Sequence, residues 1–188
     1  MTLAAFGPIR TRRLEIRDLE DADLRDLLEV NGDPEVTRFL PYDTWRSHAD
    51  GVAWLVRMTR LAEGGTARQL VLVTRDERKV IGTLLLFRFD RDSARLELGY
   101  VLGRAYWGGG LMREALESIA TLAFETLRIR RLEAEVNAGN VASRRLLRGL
   151  GFVHEGTLRK RWIAKGEAYD TDMYGLLAEE WSRHANAG

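Results

Sequence analysis

The sequence predicts an α+β fold, a mixed α/β sheet built from hairpins in its first half and from alternating strands and helices in its second. Three observations carry this expectation. Short runs rich in β-branched and aliphatic residues fill the middle of the chain, at 69–74, 80–90 and 94–103, with turns at Asp76-Glu77-Arg78 and Asp90-Arg91-Asp92. The third run leads into Gly108-Gly109-Gly110 and, at once, a helix with one apolar face. Strand and helix signals then alternate to the end. At 188 residues the chain has the size of one domain, and no repeat, low-complexity stretch or linker divides it, so 1–188 reads as a single domain.

Taken in order, Arg12-Arg13-Leu14-Glu15-Ile16-Arg17 alternates like a half-exposed strand. Residues 18–31 read as a helix, with Asp21 and Asp23 near its positive end and Leu24, Leu27, Leu28 and Val30 along its inner side. Asp33-Pro34-Glu35-Val36 starts a short helix with an acidic cap and a proline in the first turn. A longer helix covers 47–63 and ends at Gly64-Gly65. After the three central strands, 110–127 is the clearest helix, with Leu111, Ala115, Ile119, Leu122, Ala123 and Leu127 on one face. Residues 131–136 form a strand, 141–150 a helix stopped by Gly151, and Phe152 onward returns to strand. The last strand spans 168–177, and a short helix closes the chain at Glu179-Glu180-Trp181.

Composition removes several functional classes. Zero cysteine excludes a disulfide scaffold, a thiolate zinc site, an iron–sulfur cluster and a cysteine nucleophile. His48, His154 and His184 stand in unrelated contexts, so no metal site is expected. A net charge of +1 provides no global field for nucleic acid or membrane. Apolar runs such as Val80 to Phe87 fall far short of a membrane span, and the first residues lack the pattern of a signal peptide. A soluble, cytoplasmic domain is the expectation. Of the 29 basic residues only Lys79, Lys160 and Lys165 are lysines. Arginine forks suit phosphates and carboxylates, although a base-composition bias would produce the same excess.

The chemistry concentrates in two stretches. In Leu96-Glu97-Leu98-Gly99-Tyr100-Val101-Leu102-Gly103, and on through Trp107 to Met112, a strand meets three glycines and a helix N-terminus. Glycines let a backbone approach a ligand closely, and the helix end adds partial positive charge, so this junction suits an anion such as a pyrophosphate. No Gly-Lys-Ser/Thr occurs, and Arg113 stands where a dinucleotide fingerprint needs glycine, so the two common phosphate loops are excluded. The second stretch runs from Asn137 through Asn140 and Ser143 to Gly151-Phe152 and Glu155-Gly156. Asn140 caps a helix and Gly151 ends it, but capping alone does not explain two asparagines at the strand exit or Ser143 beside them.

The runs Trp107 to Glu114 (Trp-Gly-x-Gly-x-x-x-Glu) and Asn140 to Gly156 (Asn-x-x-Ser, then Leu-Gly-Phe and Glu-Gly) resemble the GNAT acetyltransferases. More narrowly they resemble the RimJ/RimL branch, named for ribosomal-protein N-terminal acetyltransferases. Thr11 to Arg17 is similar to that branch's opening strand, and Gly166 to Asp170, Met173-Tyr174 and Glu180-Trp181 to its closing one. The resemblance spans about residues 11–181.

That resemblance implies a central, mostly antiparallel twisted sheet with a splayed parallel pair, flanked by helices. It implies acetyl-CoA as co-substrate, no metal, and an amine acceptor that is a protein N-terminus or a small molecule. Val101 and Leu102 would pair with pantetheine, while Gly108, Gly109, Gly110, Leu111 and Met112 would hold the pyrophosphate, with Asn140 also in the cofactor-binding set. Glu97 is the expected base and Ser143 the group that stabilises the departing thiolate. Attack is direct, since no residue stands ready as a covalent carrier. Two positions depart from the family: Leu147 where many members carry tyrosine, and Ala105 where many carry Gln or Arg, for which Arg104 or Arg113 could compensate. Those departures keep a second reading in view, a non-catalytic module that senses acyl-CoA. Tyr174 could touch the acceptor or be a buried sheet residue. Arg159, Lys160 and Arg161 would repel a polycation if they line the pocket, and a homodimer is plausible from the resemblance.

Overall fold

The computed structural model describes residues 6–185. Its strands are β1 (Ile9–Arg10), β2 (Leu14–Asp18), β3 (Arg68–Thr74), β4 (Val80–Asp90), β5 (Arg95–Leu102), β6 (Arg131–Asn137), β7 (Val153–Ala164) and β8 (Glu167–Leu177). They form one sheet in the order β1-β2-β3-β4-β5-β6-β8-β7. Every neighbouring pair is antiparallel except β5 and β6. The helices are α1 (Leu24–Asn31), α2 (Pro34–Thr37), α3 (His48–Glu63), α4 (Leu111–Thr121), α5 (Val141–Gly149) and α6 (Ala178–Ala185).

Period-two alternation divides the apolar residues between two cores. Leu14, Ile16, Leu70, Leu72, Leu84, Leu86, Leu96 and Leu132 point to the face covered by Ala115, Leu116 and Ile119 of α4, and all are essentially inaccessible. On the opposite face Val71 and Val73 pack with Leu24 and Leu27 of α1 and with Trp54 and Met58 of α3. Each such aliphatic side chain contributes about 1.5–3 kcal/mol by leaving water.

Local chemistry moves some boundaries away from the sequence expectation. The helix expected over 18–31 begins as a tight 3-10 turn at Asp21–Asp23, and α-helix starts only at Leu24. Asp23 explains the delay: its carboxylate takes both prongs of Arg17 at 2.7 Å and the Glu20 N–H at 2.8 Å, which draws the first turn in. The helix expected over 110–127 stops as regular α-helix at Thr121 and widens into a π turn over Leu122–Thr126. The wider turn keeps Ala123 and Phe124 buried together, with the Phe124 ring 6.3 Å from Trp181. The short strand β1 was not expected, and α6 extends past Trp181 to Ala185.

One irregularity positions the site. β5 and β6 pair only through Arg95↔Arg131, Leu96↔Leu132 and Glu97↔Glu133. Beyond that point β5 follows β4 as far as Gly82↔Leu102, and β6 follows β8 as far as Asn137↔Thr171. The two halves of the sheet part, and a gap opens at the carboxyl ends of the parallel pair. Each of these strands then leads to a helix, α4 or α5, so both helix N-termini fall at the open end, the usual ligand position in a sheet with parallel strands.

The start of the chain is fastened to α4 at this end. Glu114 accepts from the Thr11 hydroxyl (2.6 Å), the Arg13 backbone N–H (2.7 Å) and Arg13 Nε (2.6 Å). Arg13 Nη1 also donates to the Gly109 carbonyl at 2.7 Å. Glu114→Ala would leave these partly buried donors unpaired and should cost about 2–3 kcal/mol. Urea unfolding of the variant checks this, and Glu114→Gln, which keeps part of the network, should lose less.

Candidate active site

The gap leads into a cavity of about 420 Å³. Glu97, Tyr100 and Val101 of β5 wall one side; Glu135 and Asn137 of β6, with Asn140 and Ser143 of α5, wall the other. Phe39, Pro41, Tyr42, Trp54 and Met58 supply an apolar and aromatic roof from the α2–α3 connection and α3. Charge inside the cavity comes from Arg57, Arg88, Glu97 and Glu135.

Glu97 is only 5% exposed. Its Oε2 accepts from Arg88 Nη1 at 2.7 Å, and the same nitrogen donates to Glu135 Oε1 at 2.7 Å. Arg88 reaches between them from a register shift in β4, where its backbone adopts the left-handed region at φ +51°, unusual for a residue with a side chain. The Trp162 indole donates to Glu135 Oε2 at 2.5 Å and closes the cluster from β7. Burial lifts the Glu97 carboxyl to about 6, outweighing Arg88, with Glu135 and Glu133 adding to the rise. Burial also works against the charge on Glu135, but there the Trp162 indole and Arg88 prevail and hold it below the usual carboxylate range. Two carboxylates thus share one cation while titrating apart.

Ser143 meets Tyr100 across the gap, hydroxyl to hydroxyl at 2.7 Å. Its backbone N–H donates to Asn140 Oδ1 at 3.1 Å, so the helix cap also aims the serine at the cavity. Burial raises the Tyr100 phenol above its ordinary value. Tyr100 escaped the sequence reading because a strand tyrosine reads as wall, and its partner is 43 residues away. Leu147, one turn beyond Ser143, is fully buried in the α4-side core and does not border the cavity. Tyr174 is likewise fully buried, its ring 5.3 Å from His154, and lies outside the cavity lining.

The structure therefore brings Glu97, Val101, Asn140 and Ser143 to one cavity. Leu102 and the run from Gly108 to Met112 lie outside that lining, at the N-terminal end of α4. Gly108 and Gly110 both have left-handed φ, +76° and +75°, and Gly110 caps α4 without any side chain to close the first turn. The Gly103 N–H bonds the Ile81 carbonyl at 2.8 Å and sets the phase of the β4–β5 ladder. In that phase Val101 turns its backbone to β4, where a Cβ on Gly82 would stand 2.3 Å from the Val101 carbonyl. The backbone groups left facing the gap belong to Leu98, Tyr100 and Leu102, and the Trp107 indole donates to the Leu102 carbonyl at 2.7 Å. Val101 meets the cavity with its side chain instead.

The suggested substitutes for Ala105 point elsewhere. Arg104 lies 3.8 Å from Asp33, and Arg113 donates to the Gly149 carbonyl and pairs with Glu117 at 3.1 Å. The arginine at the glycine run is Arg13, brought from the start of β2 by Glu114. Arg159, Lys160 and Arg161 do not border the cavity, and Arg161 lies 3.5 Å from Glu135. Among the described residues no group of three or more His, Asp or Glu side chains could hold a metal ion. No helix among them is long and apolar enough to cross a membrane.

A single mostly antiparallel sheet that parts at its one parallel pair, with a glycine-capped helix at the opening, defines the acetyltransferase class to which the motifs pointed. Residues 13–153 match the family model described as the acetyltransferase (GNAT) domain, and the chain belongs to that family. It is 34% identical over 174 residues to the uncharacterized N-acetyltransferase p20 of Bacillus licheniformis, covering 92% of this chain and 97% of that protein. It is 30% identical over 181 residues to the [ribosomal protein uS5]-alanine N-acetyltransferase of Escherichia coli K12, covering 93% and 92% of the two chains. The fold is shared with a GCN5-related N-acetyltransferase from Brucella melitensis, at a TM-score of 0.87 and 22% identity over 98% and 85% of the chains. The uS5-alanine relative agrees with the branch that the opening and closing strands resembled.

The shifted carboxyl carries a stability consequence. Between the unfolded value of 4.5 and about 6, the folded state holds more proton on Glu97 than the unfolded state does, so this group's contribution falls as pH rises through that window. Glu97→Gln should remove that dependence and gain on the order of 1 kcal/mol over wild type above pH 6. Unfolding midpoints at pH 5 and pH 8 measure it.

Proposed function

We propose that this protein moves acetyl from acetyl-CoA to a primary amine by direct attack, with Glu97 as the general base. The observation that carries this reading is a buried carboxyl near pKa 6, placed where parallel strands part and a cofactor can enter between them. CoA is an anionic chain that also carries amides, and the geometry offers both complements. The free N–H groups at the Gly110-capped start of α4 suit the pyrophosphate along Gly108 to Met112. The gap-facing backbone of Tyr100 and Leu102 suits the pantetheine amides, with the Val101 side chain and Asn140 alongside.

In the transfer, the amine nitrogen forms a bond to the thioester carbonyl carbon and the carbon–sulfur bond breaks. The nitrogen's proton passes to Glu97, directly or through one water, and the sulfur departs as thiolate. Ser143, already hydrogen-bonded to Tyr100, donates to that thiolate and stabilises it. Leu147 takes no part, so its departure from the family tyrosine does not argue for a silent sensor. The acceptor is a protein N-terminus or a small-molecule amine, and the uS5-alanine activity named for the E. coli relative supports the former.

Free-thiol release with acetyl-CoA and a panel of N-terminal peptides and amines tests this. Glu97→Gln should lower kcat about 10²–10³-fold and erase the acid limb near pH 6, with acetyl-CoA affinity kept. Ser143→Ala should slow kcat about tenfold. Tight CoA binding without turnover on any acceptor would favour the sensor instead.

A further inference from the structure

Gln69 on β3 is 8% exposed and borders the cavity. Its amide NH₂ is fully committed, donating to the Leu70 carbonyl at 3.1 Å and to the Leu84 carbonyl at 3.2 Å. Two carbonyls can accept only from the nitrogen end, so the orientation of the amide is fixed and Oε1 is the end left for the cavity. No donor among the described residues bonds that oxygen. Thr83 on β4 is 4% exposed and also borders the cavity, and its hydroxyl has no hydrogen-bond partner among the described residues either. Two buried polar groups left open on the floor of a mostly apolar chamber call for a reason.

The sheet register supplies one. Gln69 pairs with Leu85 and Leu85 with Gly99, while Thr83 pairs with Val101 and Phe87 with Glu97. Cross-strand partners and alternate residues share a face, so Gln69, Thr83, Gly99 and Glu97 all open on the α3 side. The Gln69 amide lies on the Leu70↔Leu84 pair, next to Thr83 and three residues, about 10 Å, along the sheet from the Phe87↔Glu97 pair. The way between them is clear. A Cβ on Gly99 would touch only Phe87 Cε1, at 3.7 Å, so the absent side chain leaves open space between Glu97 and Val101. Leu85 and Phe87 below, with Trp54 and Met58 above, make that space apolar. A nitrogen and an oxygen joined by three to five methylenes lie about 5–7 Å apart, and a hydrogen bond at each end extends the reach to about 11–13 Å. That is the span from the Glu97 carboxylate to Gln69 and Thr83.

We infer that Gln69 and Thr83 form a hydroxyl-binding subsite for the acceptor, which is then a small primary amine with a hydroxyl at the far end of a short carbon chain: an amino alcohol. This rests on the transferase reading above, in its small-molecule form. The ligand hydroxyl donates to Gln69 Oε1 and accepts from Thr83 Oγ1, while its methylenes cross Gly99 between Leu85 and Trp54. Other end groups match less well. A second ammonium would find no carboxylate there, because the only acids bordering the cavity among the described residues are Glu97 and Glu135. A carboxylate could accept from Thr83 but would meet Gln69 Oε1 as another acceptor.

The test compares terminal amino alcohols, from 3-aminopropanol to 5-aminopentanol, each with the alkylamine in which methyl replaces the hydroxyl. At one of these lengths wild-type kcat/KM for the alcohol should exceed that for its methyl counterpart about tenfold. Thr83→Val keeps shape, breaks no hydrogen bond and should bring that ratio toward one, while Thr83→Ser should restore it. Its melting temperature should be unchanged or higher, so a changed ratio is not a folding defect. Gln69→Met should lower the ratio too; its loss of two backbone bonds acts on both amines alike and cancels. A wild-type ratio near one at every length, or a ratio that Thr83→Val leaves unaltered, overturns the subsite while leaving the transferase reading intact. Thiol release with N-terminal peptides but with none of these amines does the same. Wild-type protein that binds acetyl-CoA but releases no thiol with any amine or peptide overturns both.

Discussion

Everything at the site depends on the parting of β5 from β6. Three residue pairs hold the parallel strands together, after which each is held more firmly by its antiparallel neighbour. A sheet with its natural twist cannot keep all three ladders once β5 and β6 are tied to partners that diverge. The unpaired edge costs hydrogen bonds within the sheet. Among the described residues it is where backbone groups in the sheet interior are left open to an extended partner carrying amides. The parting further lets groups from opposite faces meet: Tyr100 and Ser143 belong to the α5 side, Glu97 and Thr171 to the α3 side.

Charge at the site follows from how little water reaches it. Glu97 and Glu135 lie close enough to share one arginine nitrogen, and in bulk water both would ionise without conflict. Burial separates them. Glu135 gains the Trp162 indole and stays charged, while Glu97 has Arg88 alone and is left near neutrality, where a carboxylate can both accept and return a proton. The arrangement depends on the left-handed backbone at Arg88, a local strain that the β4–β5 ladder on either side sustains.

The arginine excess acquires a partial account. Arg17 on Asp23, Arg68 on Asp18 and Arg131 on Glu155 are two-pronged pairs, and Arg13 divides its fork between Glu114 and Gly109. A lysine ammonium would satisfy one contact at each and leave the second acceptor open. Not one of these pairs joins neighbouring turns of a helix: Arg68–Asp18 and Arg131–Glu155 tie strand to strand, Arg17–Asp23 ties a strand to a 3-10 turn, and Arg13–Glu114 ties the start of the chain to α4. Among the described residues Arg57, at the cavity, shows no such two-pronged pair, and it stacks over Tyr42.

The alternation of apolar residues and the glycine and asparagine punctuation were enough, by themselves, to place the strands and helices, because burial periodicity and capping are local. The family motifs likewise marked Glu97, Asn140 and Ser143, each set by its own strand or helix start. What needed the tertiary structure was every relation between distant segments. Asp23 shortened α1 because Arg17 reached it, Leu147 became core while Ser143 stayed at the cavity, and the loop arginine proved to be Arg13 rather than Arg104 or Arg113. The phase of the β4–β5 ladder, which turns Val101 inward and Tyr100 toward the gap, is a property of pairing and not of either strand. Nor could the string of residues show that Thr171 lacks a hydrogen-bond partner among the described residues, since satisfaction of a buried hydroxyl is decided by what surrounds it in space.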